Sequence, residues 1–169
     1  MAQSRLVAWI LVVVWFAWIH AVQERLTEND LFALATPDLG MVLFVALLGA
    51  VRKEDVFLLA VLAALGRKSF SVDPSLAILC AFLGFAWVAS ALRHLVELES
   101  PLWRGLLAAT GAFGLSLWLE VVRYARVGEA LPQLEGLVPL AFTSGLTALA
   151  VGSALVRLPG LSPLKVETW

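Results

Sequence analysis

The sequence predicts an all-α polytopic membrane protein, and three observations support this fold class. Hydrophobic residues make up 61% of the 169 residues and charged residues only 15%, whereas a soluble domain contains about 45–50% and about 25%. The apolar residues form runs that approach the roughly 20 residues needed to span a bilayer. Short charged turns separate these runs, and no polar linker divides the chain, so residues 1–169 are expected to form a single transmembrane helical domain.

Six apolar runs are predicted as transmembrane helices. The first contains His20 as its only polar residue, near its end, where we expect the imidazole at the membrane interface. The third run is short, and it spans the bilayer only if Arg67 and Lys68 extend outward to the interface; a re-entrant or short tilted helix is the alternative. The predicted spans cover residues 6–22, 37–51, 54–70, 75–92, 102–122 and 136–156.

Proline and aspartate residues mark two of the predicted helix starts. Pro37 is expected to begin the second helix with Asp38 in its first turn, where the helix dipole favours an anion. Asp73 is expected to precede a fourth helix whose first residue is Pro74. Polar connections are predicted at residues 23–30 and 127–135, an interfacial approach segment at residues 31–36, and a short interfacial helix within residues 93–100.

Composition and motifs argue against several classes of function. The net charge is −1, so no basic tract indicates a nucleic-acid partner. The single cysteine, Cys80, lies in an apolar run and is expected to be a small core residue. No cluster of His, Cys, Asp and Glu has metal-ligand spacing, and no phosphate-binding loop or nucleophile elbow is present. The sequence therefore predicts a non-enzymatic protein with no catalytic residue, no metal and no cofactor.

Small residues recur every fourth position in the fifth and sixth predicted helices. Such stripes let helix backbones approach closely inside a membrane, where no hydrophobic drive brings helices together. They serve either as an interface with another protein or in packing within the bundle, and the sequence leaves both open. The candidate partner-binding residues are Ala108, Ala112 and Ser116 on one helix and Ser144, Ala148 and Gly152 on the other.

We single out five of the ionisable residues in or near the predicted spans. Ionisable groups inside a membrane are costly and mark functional candidates, although groups near helix ends can also extend to the interface. Glu120 and Arg123 are three residues apart and are expected to pair. Asp38 is either a partner of Arg67 or Lys68 or simply a favourable charge at a helix start. The candidates are Asp38, Arg67, Asp73, Glu120 and Arg123.

Residues 37–92 resemble the rod shape-determining protein MreD family. The resemblance lies in Pro37-Asp38-Leu39 before a long apolar helix, in a basic turn that leads to a short third helix ending at Gly66, and in a polar turn with Asp73-Pro74 before the fourth helix. Residues 67–72 separate that glycine from Asp73, whereas the family pattern places an acidic residue closer to the glycine.

The resemblance implies a non-enzymatic inner-membrane subunit of the rod complex. Its expected partners are membrane lipid, an MreC-like single-span membrane protein and other rod-complex proteins, and its expected role is cell-shape maintenance and peptidoglycan synthesis. The family fold is similar to the six-helix membrane substrate-binding subunits of vitamin transporters. The resemblance also implies a multi-pass protein of the bacterial inner membrane. Seven Lys and Arg residues lie near span ends on the terminal side and five on the other side, which predicts cytoplasmic termini.

The sequence leaves two functions other than a scaffold open. The first is a small-molecule-binding membrane subunit of a transporter, which needs a cavity lined by aromatic and polar groups. Trp87, Trp118, Arg67 and Asp73 are the residues that could line it. The second is an accessory subunit of a membrane enzyme complex.

Overall fold

The computed structural model describes residues 2–28, 36–93, 100–128 and 134–164. These residues form six α-helices and no strand, which confirms the all-α fold. The predicted interfacial helix within residues 93–100, and residues 31–35 of the predicted approach segment, lie outside the described ranges. The helices are α1 (Ala2–Thr27), α2 (Leu39–Ala50), α3 (Val56–Lys68), α4 (Ser75–Leu92), α5 (Pro101–Val127) and α6 (Leu134–Leu155), with short 3-10 turns at Lys53–Asp55 and Ser162–Leu164.

Four of the helices, α1, α4, α5 and α6, are long and apolar enough to cross a membrane. Their outer faces carry exposed large hydrophobic side chains, as lipid-facing surfaces do; examples are Leu6, Trp18, Trp87 and Phe142. By contrast, α2 has only 12 residues, which is about 18 Å at 1.5 Å per residue. A bilayer hydrocarbon core is about 30 Å thick. The second helix is therefore too short to cross it.

Several helix boundaries differ from the sequence expectation. The first helix continues through Gln23 to Thr27, which were expected in a polar loop. Asp38 is the N-cap of α2 rather than a residue of its first turn, because its side chain accepts the Met41 N–H. Pro74 is likewise the N-cap of α4 rather than its first residue. Asp38 and Pro74 thus each lie one position before the helix that they begin.

Helix α2 is the core of the bundle. Residues 40–48 are all buried, because α2 contacts α1, α3, α5 and α6. Around it, α1 packs on α3, α3 on α4, α4 on α5, and α5 on α6. Phe44 lies at the centre, with its ring edge-to-face against Phe82 of α4 at a centroid distance of 5.3 Å. A helix that is apolar on every side is expected in such a fully buried position.

The closest approach between α5 and α6 occurs at two glycines. A Cβ atom placed on Gly145 would lie 3.0 Å from the Gly105 carbonyl oxygen and 3.0 Å from the Ala109 Cβ. Both glycines are buried. The two backbones therefore touch with no side chain between them, which is the packing that small residues permit inside membranes.

After α6, the chain folds back onto α1. Leu161 and Leu164 are buried, and the 3-10 turn that contains Leu164 packs on α1. Gly160 adopts a φ of 82°, a conformation that glycine accepts readily, and a Cβ there would clash with Leu11. Residues 160–164 thus form a folded turn that belongs to the core.

Replacement of Gly145 by valine should separate α5 from α6. We expect a loss of about 1–3 kcal/mol of stability, the usual cost of inserting atoms into a packed core. The measurement is the midpoint of thermal unfolding of the purified protein in detergent. Gly136→Val in the same helix is the matched control, because a Cβ at Gly136 has no neighbour within 4 Å. Equal midpoints for the two variants would contradict this account of the crossing.

Candidate functional site

The start of α2 is held by side chains from two other helices. Asp38 Oδ1 accepts the Met41 N–H at 2.9 Å, which is an N-cap within α2 itself. Gln23 of α1 accepts the Leu39 N–H through Oε1 at 3.0 Å. The hydroxyl oxygen of Ser144 on α6 accepts the Asp38 N–H at 2.8 Å. Three N–H groups at the beginning of this buried helix therefore have partners that water would otherwise supply.

Asp38 also carries a charge into the interior, and Arg67 balances it. The carboxylate is 1% exposed, and its Oδ2 accepts a hydrogen bond from Nη1 of Arg67, which is itself 17% exposed. The helix dipole of α2 favours the same negative charge. Of the two roles that the sequence left open for Asp38, the structure shows both: it is a helix-start anion and the ion-pair partner of Arg67.

His20 fills the space between α2 and α3 beside this pair. The imidazole is 4% exposed, so His20 lies inside the bundle, and its expected position at the membrane interface stays a prediction. The ring lies so close to Gly40 that any Cβ there would overlap it, and it stacks on Phe70 at a centroid distance of 6.0 Å. Its Nε2 is buried and has no hydrogen-bond partner among the described residues. A buried polar nitrogen without a partner is uncommon in folded proteins.

A polar cavity of about 170 Å³ opens next to the ion pair. On the α1 side its lining includes His20, Gln23 and Glu24. On the other side it includes Arg67, near the end of α3, and Phe70, just after that helix. This polar cavity lies at the end of the bundle where α1 and α3 finish. It combines a guanidinium, a carboxylate, an amide and an imidazole within one small space.

The other end of α2 is held by Arg93. Its Nη2 donates to the carbonyl oxygens of Leu48 and Val51, the latter at 3.2 Å. A cation at a helix C-terminus is electrostatically favourable and satisfies carbonyls that have no partner in the helix. At the same end, Arg5 of α1 pairs with Asp55, just before α3, at 2.7 Å.

An apolar groove of about 490 Å³ runs along the outside of the bundle between α4 and α5. Trp118 forms one wall, and its indole Nε1 donates to the Ala77 carbonyl at 2.9 Å, which joins the two helices. Cys80 lies exposed in this α4–α5 groove, so its predicted core position is wrong. Small residues on both helices create the space; among them are Ala81 and Gly84 on α4 and Gly111 and Gly114 on α5.

The small-residue stripes of α5 and α6 lie mainly inside the bundle. Ala108, Ala112 and Ala148 are buried, and Ser144 caps α2. Gly152 is also buried, while Ser116 is partly buried. These positions therefore take part in packing between helices of the same chain.

The predicted ionisable candidates divide into two groups. Asp38 and Arg67 form the buried pair described above. Arg123 pairs with Glu120 at 3.0 Å, as their spacing predicts, and with Asp73 at 3.3 Å. This second group joins α5 to the turn before α4 and is more exposed than the first.

The four residues proposed for a ligand cavity do not come together. Trp118 lies on the α4–α5 groove and Arg67 on the polar cavity. Asp73 pairs with Arg123, and Trp87 is 66% exposed on the outer face of α4. Within the described ranges, no group of three or more His, Cys, Asp and Glu residues is placed to hold a metal ion.

Comparison of the chain with protein-family models, with curated proteins and with solved structures gives no match. The likeness to MreD proteins and to vitamin-transporter subunits thus stays a prediction from residues 37–92.

Loss of the charge on Asp38 should strongly destabilise the protein. Asp38→Asn keeps an oxygen acceptor for Met41 but leaves the partly buried Arg67 guanidinium without its anion; breaking a buried ion pair in this way costs up to about 3–5 kcal/mol. We expect a lower unfolding midpoint in detergent, and a partial recovery in the double variant Asp38→Asn/Arg67→Met, which removes the uncompensated charge. A single variant as stable as the wild type would mean that the pair contributes nothing.

Ser144 offers a milder test of the same helix start. Ser144→Ala leaves the buried Asp38 N–H without an acceptor, for which we expect a loss of about 1–3 kcal/mol. Thr143→Ala is the matched control, because the Thr143 hydroxyl donates only to carbonyls of its own helix. Thermal unfolding of both variants under identical conditions gives the comparison. If Thr143→Ala lowers the midpoint as much as Ser144→Ala, the hydrogen bond between Ser144 and the Asp38 N–H does not account for the loss of stability.

Proposed function

We propose that this chain is a non-enzymatic scaffold of the bacterial inner membrane that binds a single-span membrane partner through the α4–α5 groove. The observation that carries this proposal is the groove itself, an apolar depression of about 490 Å³ on the outside of the bundle. In a bilayer, helices associate through close packing, because lipid tails are as apolar as their side chains. A surface that lets a foreign backbone come close is therefore suited to a partner helix.

Glycines make such an approach possible in the groove. Gly84 and Gly114 are exposed, and a Cβ on either would meet nothing within 4 Å. The depression between α1 and the turn after α6 differs, because the large side chains of Leu11, Trp15 and Trp18 line it. Those side chains keep another backbone at a distance. Of these two depressions, the α4–α5 groove is the one that favours helix–helix contact.

The identity of the partner follows from the family resemblance. An MreD-like chain would bind an MreC-like single-span protein and, with other rod-complex proteins, support cell-shape maintenance and peptidoglycan synthesis. In that setting the termini lie in the cytoplasm. The distribution of Lys and Arg supports this orientation, since seven of them are expected near span ends on the terminal side and five on the other side.

A small-molecule-binding membrane subunit is the second candidate. The polar cavity beside Arg67 is the observation that favours it. Its volume of about 170 Å³ is below the roughly 300–1,000 Å³ of sites that enclose a whole drug-sized ligand. The scaffold therefore remains the leading proposal.

Filling the groove should weaken partner binding without unfolding the protein. Gly84→Leu/Gly114→Leu adds two large side chains where the structure has open space. We expect about a tenfold or greater loss of affinity, the range reached when a central contact of an interface is disrupted. The measurement is co-purification with a co-expressed MreC-like single-span protein in mild detergent, with the unfolding midpoint recorded in parallel.

Gly136→Leu supplies the control, because that position is equally open and does not line the groove. An undiminished yield of the partner with the double variant would refute the groove as its binding site. Failure of the wild-type chain to retain any MreC-like protein would refute the assignment of the partner.

A further inference from the structure

The polar cavity contains chemistry that packing alone does not explain. The charged side chains Arg67 and Glu24 line it, together with the amide of Gln23. His20 also lines it and is buried, and its Nε2 has no hydrogen-bond partner among the described residues. Leaving a polar atom buried and unpaired costs about 1–3 kcal/mol. A ligand group or ordered water in the cavity would remove that cost.

Two residues of the lining are suited to an anion. An arginine has five N–H donors in a planar fork, and the bond to Asp38 uses Nη1. Gln23 accepts the Leu39 N–H through its amide oxygen, and its amide group adds N–H donors nearby. These donors match the oxygens of a phosphate or a carboxylate, which arginine binds in bidentate fashion.

Two further lining residues are suited to a cation. Glu24 supplies a carboxylate, and Phe70 supplies an aromatic ring, which stacks on His20. Carboxylates attract ammonium groups by charge, and aromatic rings attract them by cation–π interaction. Since Asp38 already balances Arg67, Glu24 is the remaining net charge of the lining. An anion alone would therefore be bound less well than a group that also carries a positive charge.

We propose that this cavity binds the headgroup of a zwitterionic phospholipid, with the phosphate at Arg67 and Gln23 and the ammonium at Glu24 and Phe70. The cavity volume of about 170 Å³ is close to that of the roughly 150 Å³ cavity that admits benzene in another protein, so it accommodates a headgroup rather than a whole lipid. Exposed apolar side chains lie within a turn of it, namely Trp18 on α1 and Leu65 on α3. Acyl chains can follow these surfaces into the bilayer, where tryptophan marks the interface.

The test uses the full chain purified in detergent and its unfolding midpoint as a function of added probe, since a ligand that binds only the folded state raises the midpoint. The probes are dihexanoyl phosphatidylethanolamine, dihexanoyl phosphatidylglycerol and O-phosphoethanolamine. We expect the ethanolamine lipid to stabilise the protein at the lowest concentration. Glu24 is exposed, so Glu24→Gln should weaken the effect of the ethanolamine lipid by about three- to fivefold, as expected for an exposed ion pair.

Glu28→Gln is the matched control, because Glu28 lies one turn further along α1, is exposed and pairs with Arg25. It should leave the response to all three probes unchanged. Equal responses to the ethanolamine and glycerol lipids, or an unaltered response in Glu24→Gln, would overturn the proposal. A response to O-phosphoethanolamine as strong as that to the lipid would overturn the assignment to a lipid in favour of a soluble zwitterion.

Discussion

The structure depends on a central helix that is shorter than the membrane around it. With 12 residues, α2 cannot bring its two ends to the aqueous phases. Inside a bilayer each unsatisfied backbone group costs several kcal/mol, so the protein itself must provide the partners. Asp38, Gln23 and Ser144 do so at one end and Arg93 at the other. The bundle is thus organised around the backbone polar groups of one buried helix.

This constraint explains why the polar residues inside the bundle are placed as they are. Once helices are in a bilayer, the hydrophobic effect no longer draws them together. Close backbone contact, as between Gly105 and Gly145, provides one source of cohesion. The helix-start bonds provide another, and they join α2 to α1, α3 and α6 at specific residues. Polar contacts therefore fix which helices are neighbours, while apolar packing fills the space between them.

The number of helices and their approximate positions could be predicted from the sequence, because apolar runs and prolines report directly on local structure. Single contacts across the bundle could not. Gln23 was expected in a loop because it follows an apolar run, and nothing local indicates that its amide reaches α2. The sequence left Asp38 with two candidate partners, and only the arrangement of α2 and α3 selects Arg67. Cys80 was expected in the core but is exposed, since the rotation of a helix depends on neighbours that an apolar run does not reveal.

The folded turn after α6 has a consequence for biosynthesis. Leu161 and Leu164 are buried in the turn that packs on α1, yet the ribosome makes them more than a hundred residues after α1. Until then, that side of α1 has only lipid or the insertion machinery as a temporary neighbour. Helix α1 therefore gains these contacts only after α6 has been made, and quality control of the nascent chain has that interval in which to act.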